Sequence, residues 1–156
     1  LEALAGRRPE FSLFARGLAR HELSAYAVGI AAEGPAAGEG ELTLESRLAW
    51  SHASRLERYE HAVHRYQDGQ PLPQAEPTAL LVYRDAECQG RYLELSPVAA
   101  AMVERLRAGT TLGQAVTEAH DALGVALDPE ALAAAAALIA DLGERGVVLG
   151  VAPGVR

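Results

Sequence analysis

Three histidines, His52, His61 and His64, are the clustered side chains best suited to hold a metal ion. His61 and His64 lie three residues apart, so they can share one face of a helix, and Glu57 and Glu60 lie nearby. The zinc-protease motif His-Glu-x-x-His instead places two imidazoles four residues apart around a glutamate that acts as general base. We therefore expect these histidines to be structural or exposed to solvent, and we predict no metal site on this chain.

The single cysteine, Cys88, excludes an internal disulfide and a thiolate metal cluster. A reactive thiolate needs a neighbour that lowers its pKa. Arg84 and Arg91 lie on either side of Cys88, but the sequence shows no catalytic triad around this cysteine. Asp85 and Glu87 lie in the same polar turn, where solvated charge is the ordinary explanation. The sequence contains no phosphate-binding loop and no Gly-x-Ser-x-Gly turn. We therefore predict that the chain is not an enzyme and carries no cofactor of its own.

Charge and composition narrow the class of partner. The chain has 156 residues, all fourteen basic residues are arginine, and the formal net charge is −7. Such a charge disfavours a nucleic-acid partner, because neutralisation of phosphates supplies most of that affinity. No apolar run reaches the roughly 18 residues that a membrane span requires, and the start lacks a signal-peptide pattern. We predict a cytoplasmic protein without membrane contact, and we expect residues before Leu1 because the chain does not begin with Met.

The first half contains one clear helix and one ambiguous stretch. Apolar spacing predicts a helix from Pro9 to Tyr26, followed by a glycine-rich loop over 31–40. Alternating leucines predict a strand from Leu42 to about His52. Residues 53–66 fit either a strand or a helix and are left open. Residues 68–77, rich in proline, predict an extended linker.

The second half is clearer. Residues Thr78–Tyr83 and Arg91–Leu95 predict the two strands of a hairpin. Three helix starts follow, each with a residue that can cap the helix N-terminus: Ser96 before a proline, Thr111 with a glutamine three residues on, and Asp128 before a proline.

The resulting fold class is α+β. It comprises an N-terminal helix and loop in residues 1–40, a strand and linker region in 41–77, and a winged-helix-like domain in 78–152. A small antiparallel sheet beside three helices defines that last arrangement.

The third helix of this domain distinguishes two kinds of partner. In a winged-helix DNA-binding protein this helix enters the major groove and needs Arg, Lys, Asn or Gln to read bases. None occurs from Pro129 to Glu144, and Thr78–Gly150 contains five arginines against ten acidic residues. A winged-helix transcription regulator is therefore only the alternative hypothesis.

The same helix contains no polar residue from Ala131 to Ala140. A helix that is apolar all round requires cover on more than one side, although alanine also tolerates exposure. We expect Leu138 to face outward and to line a groove that another chain fills. The expected core stripe is Leu132, Ala135, Ile139 and Leu142.

Two sets of motifs resemble known families. The runs Tyr92–Ala100, Leu106–Leu112 and Leu142–Gly146 resemble the peptide-recognition domain of the pyrroloquinoline-quinone peptide-chaperone type. A wider set is similar to the partner-protein family of the multinuclear non-haem iron-dependent oxidative enzymes, which includes the methanobactin-pathway partner subunit. That set comprises Leu18–Glu22, Ala62–Arg65, Glu76–Asp85 and Leu93–Pro97.

The resemblance implies a non-catalytic bacterial partner subunit. Such domains bind the leader of a ribosomally synthesised precursor peptide by strand addition, while the rest of the chain forms a heterodimer with an iron-dependent enzyme that holds the iron. In this family the receiving elements are the strand before the first helix and the third helix. The corresponding residues are Arg91, Tyr92, Leu93, Glu94, Leu95, Leu132, Ala135, Leu138, Ile139 and Leu142.

Overall fold

The computed structural model describes residues 9–34 and 36–154, with side chains from residue 13 onward. Its elements, in chain order, are α1 (Pro9–Gly29), β1 (Leu48–Trp50), β2 (Ser54–Tyr59), a 3-10 turn (Val63–Arg65), β3 (Thr78–Arg84), β4 (Gly90–Leu95), α2 (Pro97–Arg107), α3 (Leu112–Leu123), α4 (Pro129–Glu144) and β5 (Val148–Val151).

The central sheet is antiparallel in the order β2-β3-β4. β3 is buried along almost its whole length, so both of its faces must be covered. On one face Leu81 packs into a core shared with α2, α3 and α4. On the other face Leu80 and Val82 pack with Phe14 and Val28 of α1. The predicted α+β class with an N-terminal helix is confirmed, and α1 forms a separate layer over the sheet.

The predicted helix starts are confirmed by their capping bonds. The Ser96 side chain accepts a hydrogen bond from the Ala99 amide, and Asp128 accepts one from the Ala131 amide at 2.8 Å. Thr111 caps α3 as part of a complete capping box. These bonds fix where the helices leave the sheet and the loops.

The predicted strand from Leu42 to His52 is wrong except for Leu48–Trp50. Residues before β1 form a turn that caps a helix instead of pairing in a sheet. The carbonyl of Leu44 accepts from the Gly113 amide at 2.8 Å, at the N-terminus of α3. The first amides of a helix have no intrahelical partner, so this loop supplies one, and Leu44 remains largely exposed.

The short strand β1 pairs with β5 in a second, two-stranded sheet, with Leu48 opposite Val151. The segment 53–66, left open by the sequence, contains β2 and the 3-10 turn. β2 pairs antiparallel with β3, so the predicted boundary between residues 77 and 78 lies between two paired strands. Within the described residues no helix is long and apolar enough to cross a membrane.

Candidate peptide-binding edge

Hydrogen-bond alternation defines which backbone groups point away from the three-stranded sheet. The Arg84 amide donates to the Ala53 carbonyl at 3.0 Å, and the Asp85 amide donates to the Gln89 carbonyl at 2.9 Å. Bonded and non-bonded pairs alternate along an antiparallel ladder. These two bonds and the observed register therefore show which residues of β2 and β4 direct their backbone groups toward β3 and which direct them outward. The groups that point outward belong to Ser54, Leu56 and Arg58 on β2, and to Gly90, Tyr92 and Glu94 on β4.

Arginine side chains bond two of the three outward carbonyls of β2. Arg107 donates one hydrogen bond to the Ser54 carbonyl and one to its hydroxyl, both at 2.9 Å. Its guanidinium lies 5.1 Å from the centre of the Trp50 ring, and the surrounding protein lowers its pKa. Arg20 donates to the Arg58 carbonyl. We call the β2 edge closed because arginines of the chain itself bond two of its three outward carbonyls, those of Ser54 and Arg58.

The outer edge of β4 has no such cover. Among the described residues, no hydrogen bond reaches the outward amides and carbonyls of Tyr92 and Glu94. The Tyr92 side chain is 48% exposed. Unpaired backbone groups in a row form a template on which another strand can pair.

The charged side chains along β4 are already paired. Both Glu94 carboxylate oxygens lie 2.7 Å from the Arg65 guanidinium, and one lies 3.0 Å from His64 Nε2. Arg65 in particular holds the pKa of Glu94 below its usual range. Arg91 is bonded to Asp85 at 2.7 Å and, with nearby backbone amides, lowers the pKa of that carboxyl. These pairs hold the strand without covering its outward backbone.

Two buried histidines support β4 from the α1 side. The rings of His21 and His64 lie 5.3 and 5.5 Å from the Tyr92 ring, both edge-on. The Nδ1 atoms of both histidines have no hydrogen-bond partner within the described structure. Burial lowers the pKa of His21, which more than offsets the nearby carboxylate of Glu22. Burial therefore favours the neutral form of the His21 imidazole.

The residues predicted to bind peptide fall into two groups, one on β4 and one on α4. Arg91, Tyr92, Leu93, Glu94 and Leu95 form β4, although the Leu95 side chain is buried. On α4, Ala135, Ile139 and Leu142 are buried and belong to the core, so their side chains offer little contact surface.

The expected orientation of Leu138 and Leu132 is wrong. Leu138 is partly buried and packs against the core, whereas Leu132 is 47% exposed. The buried stripe of α4 consists of residues 135, 139 and 142, with the partly buried residue 138 beside it, a helical spacing of three and four. Leu132 lies in the first turn, ahead of that stripe. This leaves Leu132 and the edge of Leu138 as the large apolar surface of α4.

The histidines singled out in the sequence lie in different surroundings. His61 is buried and packs edge-on against Phe14, while His64 bonds Glu94. No three His, Cys, Asp or Glu side chains within the described residues are grouped to hold a metal ion. Cys88 is exposed in the hairpin turn, with a positive φ of 61°.

Sequence reasoning missed Arg107 and Arg20, because nothing local to either residue indicates a bond to a strand tens of positions away.

The sequence profile of the HvfC C-terminal domain family matches residues 46–143. The matched segment runs from just before β1 to the last turn of α4 and covers more than half of the chain. A comparison with curated proteins found no match.

Proposed function

Because the chain belongs to the HvfC C-terminal domain family, which is linked to partner proteins of oxidative enzymes, we propose that it is a non-catalytic partner subunit. It binds the leader of a ribosomally synthesised precursor peptide and presents that peptide to an iron-dependent modifying enzyme. The single observation that carries the peptide-binding role is the open outer edge of β4, which contrasts with the closed β2 edge on the opposite side of the sheet.

Strand addition explains how the edge is used. An extended leader pairs with the outward amides and carbonyls of Tyr92 and Glu94, which supplies affinity independent of sequence, while alternate side chains enter neighbouring pockets. Leu93 and Leu138 are both partly buried and pack against the same core cluster. They supply the apolar surface on the helix side of the added strand.

The iron is assigned to the enzyme partner, because the donor set of this chain does not favour a site of its own. Three His or carboxylate ligands are not assembled among the described residues, and His64 is engaged with Glu94. The role of this chain is then to hold the peptide in register while the enzyme acts on it.

The DNA-binding alternative receives no support from α4. From Ala108 to Glu144 the sequence has six acidic residues and no arginine or lysine. A helix in the major groove with this composition would oppose the phosphate charge.

Hydrogen exchange tests the proposal. Synthetic peptides copied from the N-terminal part of any short peptide encoded beside this gene are added to the full chain, and amide exchange is measured residue by residue. We expect protection of the Tyr92 and Glu94 amides and no change at Arg58 on the closed edge. No protection with any leader, or protection confined to β2, would contradict strand addition at β4.

Size-exclusion chromatography of the chain co-expressed with a neighbouring iron oxidase tests the partner role separately. We expect one co-eluting complex, and separate elution at micromolar concentration would count against it.

A further inference from the structure

Helix α1 packs on the sheet mainly over β3, and its contacts with β2 and β4 define which of its sides faces each edge. The Ser24 hydroxyl donates to a Glu57 carboxylate oxygen at 2.9 Å, and Arg20 donates to the Arg58 carbonyl. Both partners are on β2. Residues 20 and 24 are one turn apart, so this side of α1 faces the closed edge.

The underside of α1 rests directly on β4. A Cβ added at Gly90 would lie 3.3 Å from the carbonyl oxygen of Ala25, and His21 contacts Tyr92. With residues 20 and 24 toward β2 and residues 21 and 25 beneath, the helical repeat of 3.6 residues places Glu22 and Tyr26 on the remaining flank. That flank faces the side of the sheet on which the open edge of β4 lies.

Glu22 and Tyr26 are both free to meet a ligand. Both are exposed, Tyr26 to 67%, and Glu22 forms no ion pair with any described residue. Their spacing of four residues places them on the same face of the helix, one turn apart. Tyr92, which is 48% exposed, lies on β4 and contacts His21, the neighbour of Glu22 in the chain. The flank therefore offers one carboxylate and two aromatic rings.

Side chains of a strand alternate between the two faces of a sheet. A peptide strand added beside β4 would direct one set of side chains toward the face of the sheet that α2, α3 and α4 cover, and the other set toward the flank of α1 that carries Glu22 and Tyr26. A carboxylate beside aromatic faces favours a cation, through an ion pair and through attraction to the ring faces. The nearby cations do not compete, because Arg65 and Arg91 are paired with Glu94 and Asp85.

We propose that Glu22, Tyr26 and Tyr92 form a subsite that takes an arginine or lysine side chain of the bound peptide. This inference rests on the strand addition proposed above. In this proposal α1 contributes directly to peptide specificity, although it lies outside the family-matched residues 46–143.

A display library of random twelve-residue peptides provides the probe. It is selected in parallel on the full chain, on Glu22→Arg, and on Asp121→Arg, which makes the same charge change on α3, away from the sheet. We expect peptides selected on the full chain and on Asp121→Arg to carry Arg or Lys at one fixed position. Selection on Glu22→Arg should replace it with Asp or Glu.

Affinity measurements on one selected basic peptide complete the test. Glu22→Arg should weaken binding about tenfold or more, Tyr26→Ser by a smaller factor, and Asp121→Arg by less than about threefold. Thermal melts establish that each variant is folded. Peptides that protect the Tyr92 and Glu94 amides but show no basic preference would overturn the subsite and leave strand addition standing. Selected peptides that leave those amides unprotected would overturn both.

Discussion

The two outer edges of the central sheet are built differently, although both belong to short antiparallel strands. On β2 the outward carbonyls of Ser54 and Arg58 accept hydrogen bonds from Arg107 and Arg20. On β4 the corresponding groups of Tyr92 and Glu94 have no partner within the described residues. Proteins generally cover or blunt sheet edges because an open edge invites pairing with another chain. This difference between the two edges is the reason that we propose β4 as the strand with which the peptide pairs.

Tyr92→Pro should have the largest effect, a loss of leader binding of about 100-fold or more. Proline removes the outward amide of residue 92 but no bond to β3, and edge strands tolerate proline at such positions. Isothermal titration with the leader measures the loss, and a thermal melt reports the fold.

Two controls refine this comparison. Tyr92→Ala removes the same ring but keeps the amide, so it should lose much less affinity. Arg58→Pro removes an outward amide from β2 and should leave leader binding unchanged. Equal losses in Tyr92→Pro and Arg58→Pro would contradict the distinction between the edges.

Arg107→Leu should open the closed edge. The substitution removes both hydrogen bonds to Ser54. A hydrogen bond from a charged donor contributes about 1.5–3 kcal/mol to the free energy of unfolding. We expect the free energy of unfolding to fall by about 2 kcal/mol and the variant to self-associate through β2. Urea denaturation and sedimentation velocity measure these changes. Arg55→Leu, which changes an exposed arginine of β2 itself, is the control, and an equal loss in both variants would show that Arg107 does not close the edge.

His21→Phe should make the thermal stability of the protein less sensitive to acid. Because burial lowers the folded-state pKa of His21, the neutral form contributes stability above the ordinary pKa of about 6.5. That contribution is lost as the pH falls through the folded-state value. We expect the melting temperature of the unchanged chain to fall more between about pH 7.5 and about pH 5.5 than that of the variant. Parallel slopes would assign the acid sensitivity to other groups.

Arg20→Gln should have the smallest effect. Arg20 is exposed and also lies 3.5 Å from Glu57, and exposed ion pairs contribute from nothing to about 1 kcal/mol. We expect a loss of stability below that of Arg107→Leu, measured by the same urea titration. A larger loss than in Arg107→Leu would reverse the assigned order of the two arginines.

Local sequence patterns correctly predicted the features that depend on bonds between nearby residues. The caps at Ser96, Thr111 and Asp128 and the hairpin of β3 and β4 have the predicted positions, because each depends on residues a few positions apart. The strand predicted from Leu42 failed because the carbonyl of Leu44 bonds the start of α3, a distant contact with no local signature.

The candidate site shows the same division. Its strand was predicted from alternation and from family resemblance. The bonds from Arg107 to the opposite edge and the position of α1 on the sheet depend on tertiary packing, which single-sequence patterns do not contain. For α4, the apolar composition left the orientation of Leu132 and Leu138 undetermined, because alanine fits either side of the stripe.

The pairing of β1 with β5 has a consequence for how the chain folds during synthesis. Leu48 lies opposite Val151, so the contact closes a loop of about 100 residues that contains the whole central sheet and three helices. Contacts so distant in sequence are slow to form. A nascent chain that has reached the end of α4 already contains every family-matched residue, yet β1 still has no partner strand. The two-stranded sheet therefore closes only after translation has passed Val151, later than the hairpin and helices that it joins.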